Sequence, residues 1–231
     1  MYPAAVRSLA VRLQSIRERN DWRSLRRKLA DRFLRTFLRA EVSRVVWLEA
    51  DAVAATVGHP DYTFRFLTAD EVALYSQDPA YELSPAMTDR ARAGRDLCFA
   101  ALSGDKLAAF GWYALESIEP EHADGVALSY PPDVAFMYFG FTHPDFRGAR
   151  LHGQTMALAL QELSKRGVTK LVSMVGWTND ASLKSCWRLG YQDLGRMIAV
   201  GSRHNAFGLY PRKAKALGVK FGRRAKRRPT A

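Results

Sequence analysis

The spacing of apolar and polar positions changes several times along the 231 residues. From 4 to 40 it is helical: Trp22, Leu25, Leu29, Phe33 and Phe37 recur at intervals of three and four, with arginines on the other faces. Asn20 or Asp21 is placed to cap the second half of that helix. SRVVWLEA, residues 43–50, has the length and content of a first strand. DYTFRFLTADEVALYSQ predicts a short strand, a Thr68 cap and a helix, with Glu71 at the capping-box spacing from Thr68. A second short helix is expected over 85–94. DLCFAAL and KLAAFGWYAL are apolar runs parted by SGD, the pattern of a hairpin. Residues 116–132 are polar and hold Pro120, Pro131 and Pro132, so a long loop is expected there. VAFMYFGFT, 134–142, is apolar throughout, as a central strand is. A helix over 150–165, a strand over 170–177, a helix over 179–188 and, at GRMIAVGS, a last strand or the first of a final pair complete the pattern.

This order predicts an α/β (α+β) domain, a mixed sheet with helices on both faces. The length allows one core of roughly 150 to 170 residues with appendages. No apolar run reaches membrane-spanning length, and the arginine-rich start lacks the apolar stretch of a signal peptide. Cys98 and Cys186, the two cysteines, form no C-x-x-C pair, so neither a zinc site nor a disulfide framework is expected. A reducing, cytoplasmic setting follows.

Charge divides the chain into three. Residues 1–40 carry eleven Lys/Arg against three acids, and residues 203–231 carry ten against none. The middle then holds fourteen against twenty, so an acidic body sits between two basic ends. We read 1–40 as a basic amphipathic helical arm, 41–205 as the folded domain and 206–231 as a basic, mostly disordered tail.

The densest chemistry lies where the apolar strand ends, at HPDFRGARLHG. A helix start offers backbone N–H groups with no intrahelical partner, and its dipole is electropositive. A preceding glycine lets a bulky anion approach the main chain, and arginines add full charges. The turn from Arg147 to Gly153 combines these features, and a phosphate or pyrophosphate is the guest it suits.

Thr142, Pro144, Arg147 and Gly148 match in order the cofactor turn of the Gcn5-related N-acetyltransferase (GNAT) superfamily, V-x-P-x-x-R-G. A second segment, NDASLKSCWRLGY, resembles that superfamily's later motif through Asn179, Ser182, Leu189, Gly190 and Tyr191. One helix and one strand separate the two segments, as in the family. The resemblance spans residues 62–200 and leaves out both basic ends. It implies a mixed, mostly antiparallel central sheet and an acyltransferase that moves an acetyl or other acyl group from acyl-CoA to an amine, without a metal. It also implies that acetyl-CoA lies with its pantetheine arm along Gly140, Phe141 and Thr142, Gly140 tolerating the strand bulge this needs. The pyrophosphate would rest on the N–H groups of Gly148, Ala149, Arg150, Leu151, His152 and Gly153, beside Arg147. Asn179 and Ser182 would approach from the neighbouring helix.

The sequence departs from the family where Arg150 and His152 stand for glycines. It departs again where Cys186 holds the position of the tyrosine that protonates the departing thiolate. Cys186 is therefore either the candidate acid or a buried structural cysteine, with Ser185 acting through water as the other donor. Tyr138 is the only titratable residue within the strand after Asp133, where the family often has a glutamate base. Catalysis by positioning and by backbone polarisation of the thioester needs no dedicated carboxylate. The loop acids Glu116, Glu119, Glu121 and Asp124 either form a rim suited to a small-molecule or peptide amine or make a solvated loop, and Trp112 and Tyr113 either line that pocket or belong to the core.

The basic arm can pack its apolar stripe on the body, on a second subunit as a homodimer, or on an anionic membrane surface. The tail can hold nucleic acid or another polyanion weakly. An alternative to the enzyme is a GNAT-like binding protein without catalysis that uses these ends to hold RNA or a membrane.

Overall fold

The computed structural model describes residues 22–54, 56–116, 126–201 and 207–223. The part of the helix expected over 4–40 that precedes Trp22, the Asn20 or Asp21 cap of its second half, the loop acids Glu119, Glu121 and Asp124, and residues 224–231 lie outside these. The chain runs through α1 (Trp22–Phe37), β1 (Ala40–Glu49), β2 (Thr63–Phe66), α2 (Ala69–Tyr75) and α3 (Pro85–Arg92). β3 (Asp96–Ser103), β4 (Lys106–Ala114), β5 (Val126–Ser129) and β6 (Val134–Thr142) follow. Then come α4 (Leu151–Ser164), β7 (Lys170–Gly176), α5 (Asp180–Arg188), β8 (Gln192–Val200), β9 (Phe207–Leu209), α6 (Arg212–Ala216) and β10 (Lys220–Arg223).

Eight strands form one sheet in the order β2-β3-β4-β6-β7-β1-β8-β9. Only β6 and β7 pair in parallel; every other neighbouring pair in that sheet is antiparallel. β1 lies between β7 and β8, and its buried run Val45–Leu48 feeds the core on both faces. On one face α4 and α5 cover the sheet, packing Met156, Leu160 and Leu163 with Leu183 and Cys186. The other face is covered by α2 and α3, through Val72 and Met87, and by the β5–β10 pair with α6. The capping box at Thr68 and Glu71 forms as expected, and the bidentate guanidinium of Arg65 on Glu71 holds that carboxyl at a pKa of about 2.

Two expectations are corrected. Part of the long loop over 116–132 is strand β5, and part of the tail expected to be disordered is α6 and β10. The two corrections have one cause. β5 and β10 pair from Val126↔Arg223 to Ser129↔Lys220, and Ala214 and Val219 are fully buried against Leu128, Trp47 and Met197.

Candidate active site: a strand gap facing a bare helix start

β6 and β7 run side by side for only four rungs, from Val134↔Lys170 to Met137↔Ser173. At the last rung the Ser173 hydroxyl donates to the Met137 carbonyl at 2.7 Å. Beyond it β6 stays with β4 as far as Thr142, and β7 stays with β1 as far as Gly176. The strands therefore part. A bulge in β6 accompanies the parting: Trp112 opposes Phe139 and Tyr113 opposes Met137, so Tyr138 is the extra residue. The bulge thus falls two residues before Gly140, the position that the resemblance implies would tolerate it.

The gap holds a cavity of about 240 Å³ lined by Gly140, His152, Met174, Asn179, Ser182 and Cys186 among others. Main-chain groups of β6 that do not bond to β4 face it, so an extended polar chain laid in the gap would find hydrogen-bond partners. Gly140 is exposed on this side, and the His152 ring packs against it.

β6 leads into a 3₁₀ turn, Pro144–Phe146, whose start is capped by His143 Nδ1 accepting from Asp145 N–H at 3.3 Å. Arg147 Nε donates to the Thr142 carbonyl at 3.4 Å, and its side chain stays exposed. Gly148 has φ +98°, a left-handed conformation that favours glycine. Arg150 also takes the left-handed region, at φ +56°, despite its Cβ. The backbone thus keeps a glycine-like course although the residue is arginine.

Thr68, Ser84 and Asn179 cap α2, α3 and α5 with side-chain oxygens, but α4 starts without a side-chain cap. Its first helical bond runs from Gln154 N–H to the Arg150 carbonyl at 3.3 Å. The N–H groups of Leu151, His152 and Gly153 precede that bond and have no intrahelical partner. With Arg147 and Arg150 exposed beside them, this is the electropositive corner read from the sequence.

On the far side of the gap Asn179 Oδ1 caps α5 by accepting Ser182 N–H at 3.2 Å, which leaves the amide nitrogen as a donor at the cleft wall. Cys186 lies deeper, 4% exposed, and burial pushes its thiol up to about 11. Burial lowers the pKa of His152, so its imidazole is neutral at pH 7.

Tyr138 does not present its hydroxyl as a base. The hydroxyl donates to Asp96 Oδ2 at 2.8 Å, on the carboxylate that Arg90 grips through Nε and Nη2 at 2.5 Å each. Burial, and then the Asp96 charge, raise the tyrosine pKa well above its ordinary value. Nothing in the local sequence signalled this, because Tyr138 and Asp96 are 42 residues apart. Of the two places open to Trp112 and Tyr113, pocket wall or core, the structure shows the core: both are fully buried.

No protein-family model and no curated protein matches the chain. Solved structures do. A GNAT-family acetyltransferase from Colwellia psychrerythraea superposes with a TM-score of 0.51 at 12% identity, over 70% of this chain and 56% of that one. The fold is that of the GNAT acetyltransferases. A GNAT-family acetyltransferase from Novosphingobium aromaticivorans matches with a TM-score of 0.47 at 17% identity, over 69% of this chain and 63% of that one. A Gcn5-related N-acetyltransferase from Kribbella flavida matches with a TM-score of 0.46 at 15% identity, over 66% and 54%. The chain thus spans less than two thirds of the length of these GNAT structures.

Proposed function

We propose that this protein is an acyl-CoA-dependent N-acyltransferase that carries an acetyl or similar acyl group to an amine. The observation that carries this reading is the parting of β6 and β7 directly above the uncapped start of α4. One element offers unpaired main-chain groups for an extended amide-bearing arm, and the other offers N–H donors and two arginines for a diphosphate. A pantetheine arm joined to a pyrophosphate has both chemistries.

In this reading the arm lies along Gly140, Phe141 and Thr142, with Asn179 and Ser182 opposite. The diphosphate meets the N–H groups from Gly148 to Gly153, flanked by Arg147 and Arg150. The acceptor nitrogen attacks the thioester carbonyl, the C–N bond forms, the C–S bond breaks, and the amine proton leaves to water. Main-chain N–H groups of the gap stabilise the oxyanion. Cys186 is a poor acid for the departing thiolate. A thiol at about 11 would be giving its proton to one near 8.5, uphill by roughly 3 kcal/mol. The chain's contribution is alignment and water exclusion rather than a strong proton donor.

Calorimetric titration with acetyl-CoA, combined with an amine screen read by free-thiol release, tests the proposal. Saturation at about a hundred times Kd should also add about 2.7 kcal/mol to stability. Neither heat nor thermal protection at millimolar acetyl-CoA would overturn it. Binding without thiol release from any amine would favour the non-catalytic alternative.

A further inference from the structure

α1 is attached to the body by its polar side. Arg27 bonds to the Trp177 carbonyl, pairs with Asp180 at 3.0 Å and lies over the Trp177 ring at 5.6 Å. Trp177 Nε1 donates to Asp31 at 2.6 Å, and Ser24 donates to Asp180 at 3.4 Å. Arg35 pairs with Asp31 and Glu41. Ser24, Arg27, Asp31 and Arg35 recur at spacings of three and four, so they form one face.

The apolar face is turned the other way. Trp22, Leu29, Phe33 and Phe37 are 48%, 58%, 54% and 71% exposed. The Phe33 and Phe37 rings touch each other, with centroids 4.9 Å apart. A helix that served only to cover a core would show the reverse arrangement. Arg26, Lys28, Arg32 and Arg39 are exposed around the stripe, and no ion pair holds any of them among the described residues.

We propose that α1 is a contact for an anionic lipid surface, its aromatic stripe entering the headgroup region while the flanking cations meet lipid phosphates. Two observations select this occupant. A nucleic acid would satisfy the cations and leave Leu29, Phe33 and Phe37 in water. A second copy of the helix would cover the stripe but set the same unpaired cations against each other. A bilayer with acidic headgroups satisfies both features at once. Among the described residues no helix is long and apolar enough to cross a membrane, so the contact is superficial. This inference does not depend on the acyltransferase reading.

Flotation of the full chain with vesicles containing about a third phosphatidylglycerol, against pure phosphatidylcholine vesicles, tests it. Anionic vesicles should bind at least about tenfold more strongly, with the difference shrinking as salt rises. Phe33→Ser with Phe37→Ser should lose about tenfold of that binding while keeping the melting temperature and the monomeric state. Equal binding by the double variant overturns the proposal. So does a lower melting temperature of the variant, which would mean that residues 1–21 cover the stripe. A dimer in light scattering that the double variant abolishes overturns it in favour of a second copy.

Discussion

The imidazole of His152 lies against the backbone of Gly140. A Cβ built on Gly140 would stand 2.5 Å from His152 Cε1 and 3.1 Å from Nδ1, with Met137 Cε at 3.0 Å. The absence of a side chain on β6 is what lets α4 begin this close to the strand gap. Gly140→Ala should therefore displace the ring into the cleft, costing about 1–3 kcal/mol in stability and weakening acyl-CoA binding. His152→Ala added to it should recover most of both losses, because it removes the two ring atoms and leaves only the flexible end of Met137 to give way. Thermal unfolding and calorimetry on the two single variants and the double variant measure the coupling. Additive effects would mean that the ring moves aside freely.

Arg150 sets backbone against side chain in a way that can be separated. Its left-handed conformation costs a non-glycine residue about 1–2 kcal/mol, while glycine would lose about 0.4–1 kcal/mol through a freer unfolded chain. Arg150→Gly should thus leave stability unchanged or raise it by up to about 1.6 kcal/mol in a urea titration. If its guanidinium grips a phosphate, the same variant should bind CoA about three- to tenfold more weakly, with a shallower salt dependence. A destabilised Gly variant would contradict the strain argument, and unchanged affinity would remove the guanidinium from the site.

Local pattern made the strand–turn–helix from Val134 to Ser164 legible, because strand, glycine turn and helix are all written within some thirty consecutive residues. The Thr68 capping box was legible for the same reason: its two partners are three residues apart. What the pattern hid depends on partners far away in the chain. The interior place of β1 rests on pairing with β7 and β8, more than a hundred residues later. The engagement of Tyr138 by Asp96 depends on β3 lying one strand away from β6, across β4. The C-terminal structure escaped because Ala214 and Val219 are apolar positions isolated among lysines, too sparse for a periodicity to show. The one available cue was Leu217-Gly218, a helix stop followed by alternating Val219 and Phe221. The inverted docking of α1 was also beyond the sequence, since periodicity identifies a stripe but not the direction it faces.

Two truncations separate α6 and β10 from the basic residues that follow them in the chain. Removing 212–231 strips α6 and β10, exposes Leu128 and Trp47, and deletes the buried Ala214 and Val219. The loss should be about 3 kcal/mol or more from apolar burial, before the unpaired edge of β5 is counted. Removing only 224–231 takes away Arg224, Lys226, Arg227 and Arg228 and should leave the urea midpoint within error. Equal midpoints for both truncations would show that β10 contributes nothing to the fold.

The resemblance of NDASLKSCWRLGY to the GNAT motif would make Cys186 the proton donor, and the environment of the thiol argues against that role. The thiol is buried among Leu183, Tyr191 and Met156, and burial raises its pKa from 9.0 to about 11. Cys186→Ala should therefore keep turnover within about threefold of the parent, whereas loss of a working general acid costs on the order of a hundredfold or more. The same shift carries a stability signature of known sign. Below pH 9 the thiol is protonated in both the folded and the unfolded chain, so its contribution to stability is fully present. Between pH 9 and about 11 the unfolded chain releases the proton and the folded chain keeps it, so stability falls as pH rises, by up to about 2.7 kcal/mol from this group. Urea midpoints measured from pH 8 to 10.5 should fall less steeply for Cys186→Ala than for the parent, with Cys98 common to both. A hundredfold drop in turnover together with an unchanged alkaline slope would reverse the assignment and make the thiol the catalytic acid.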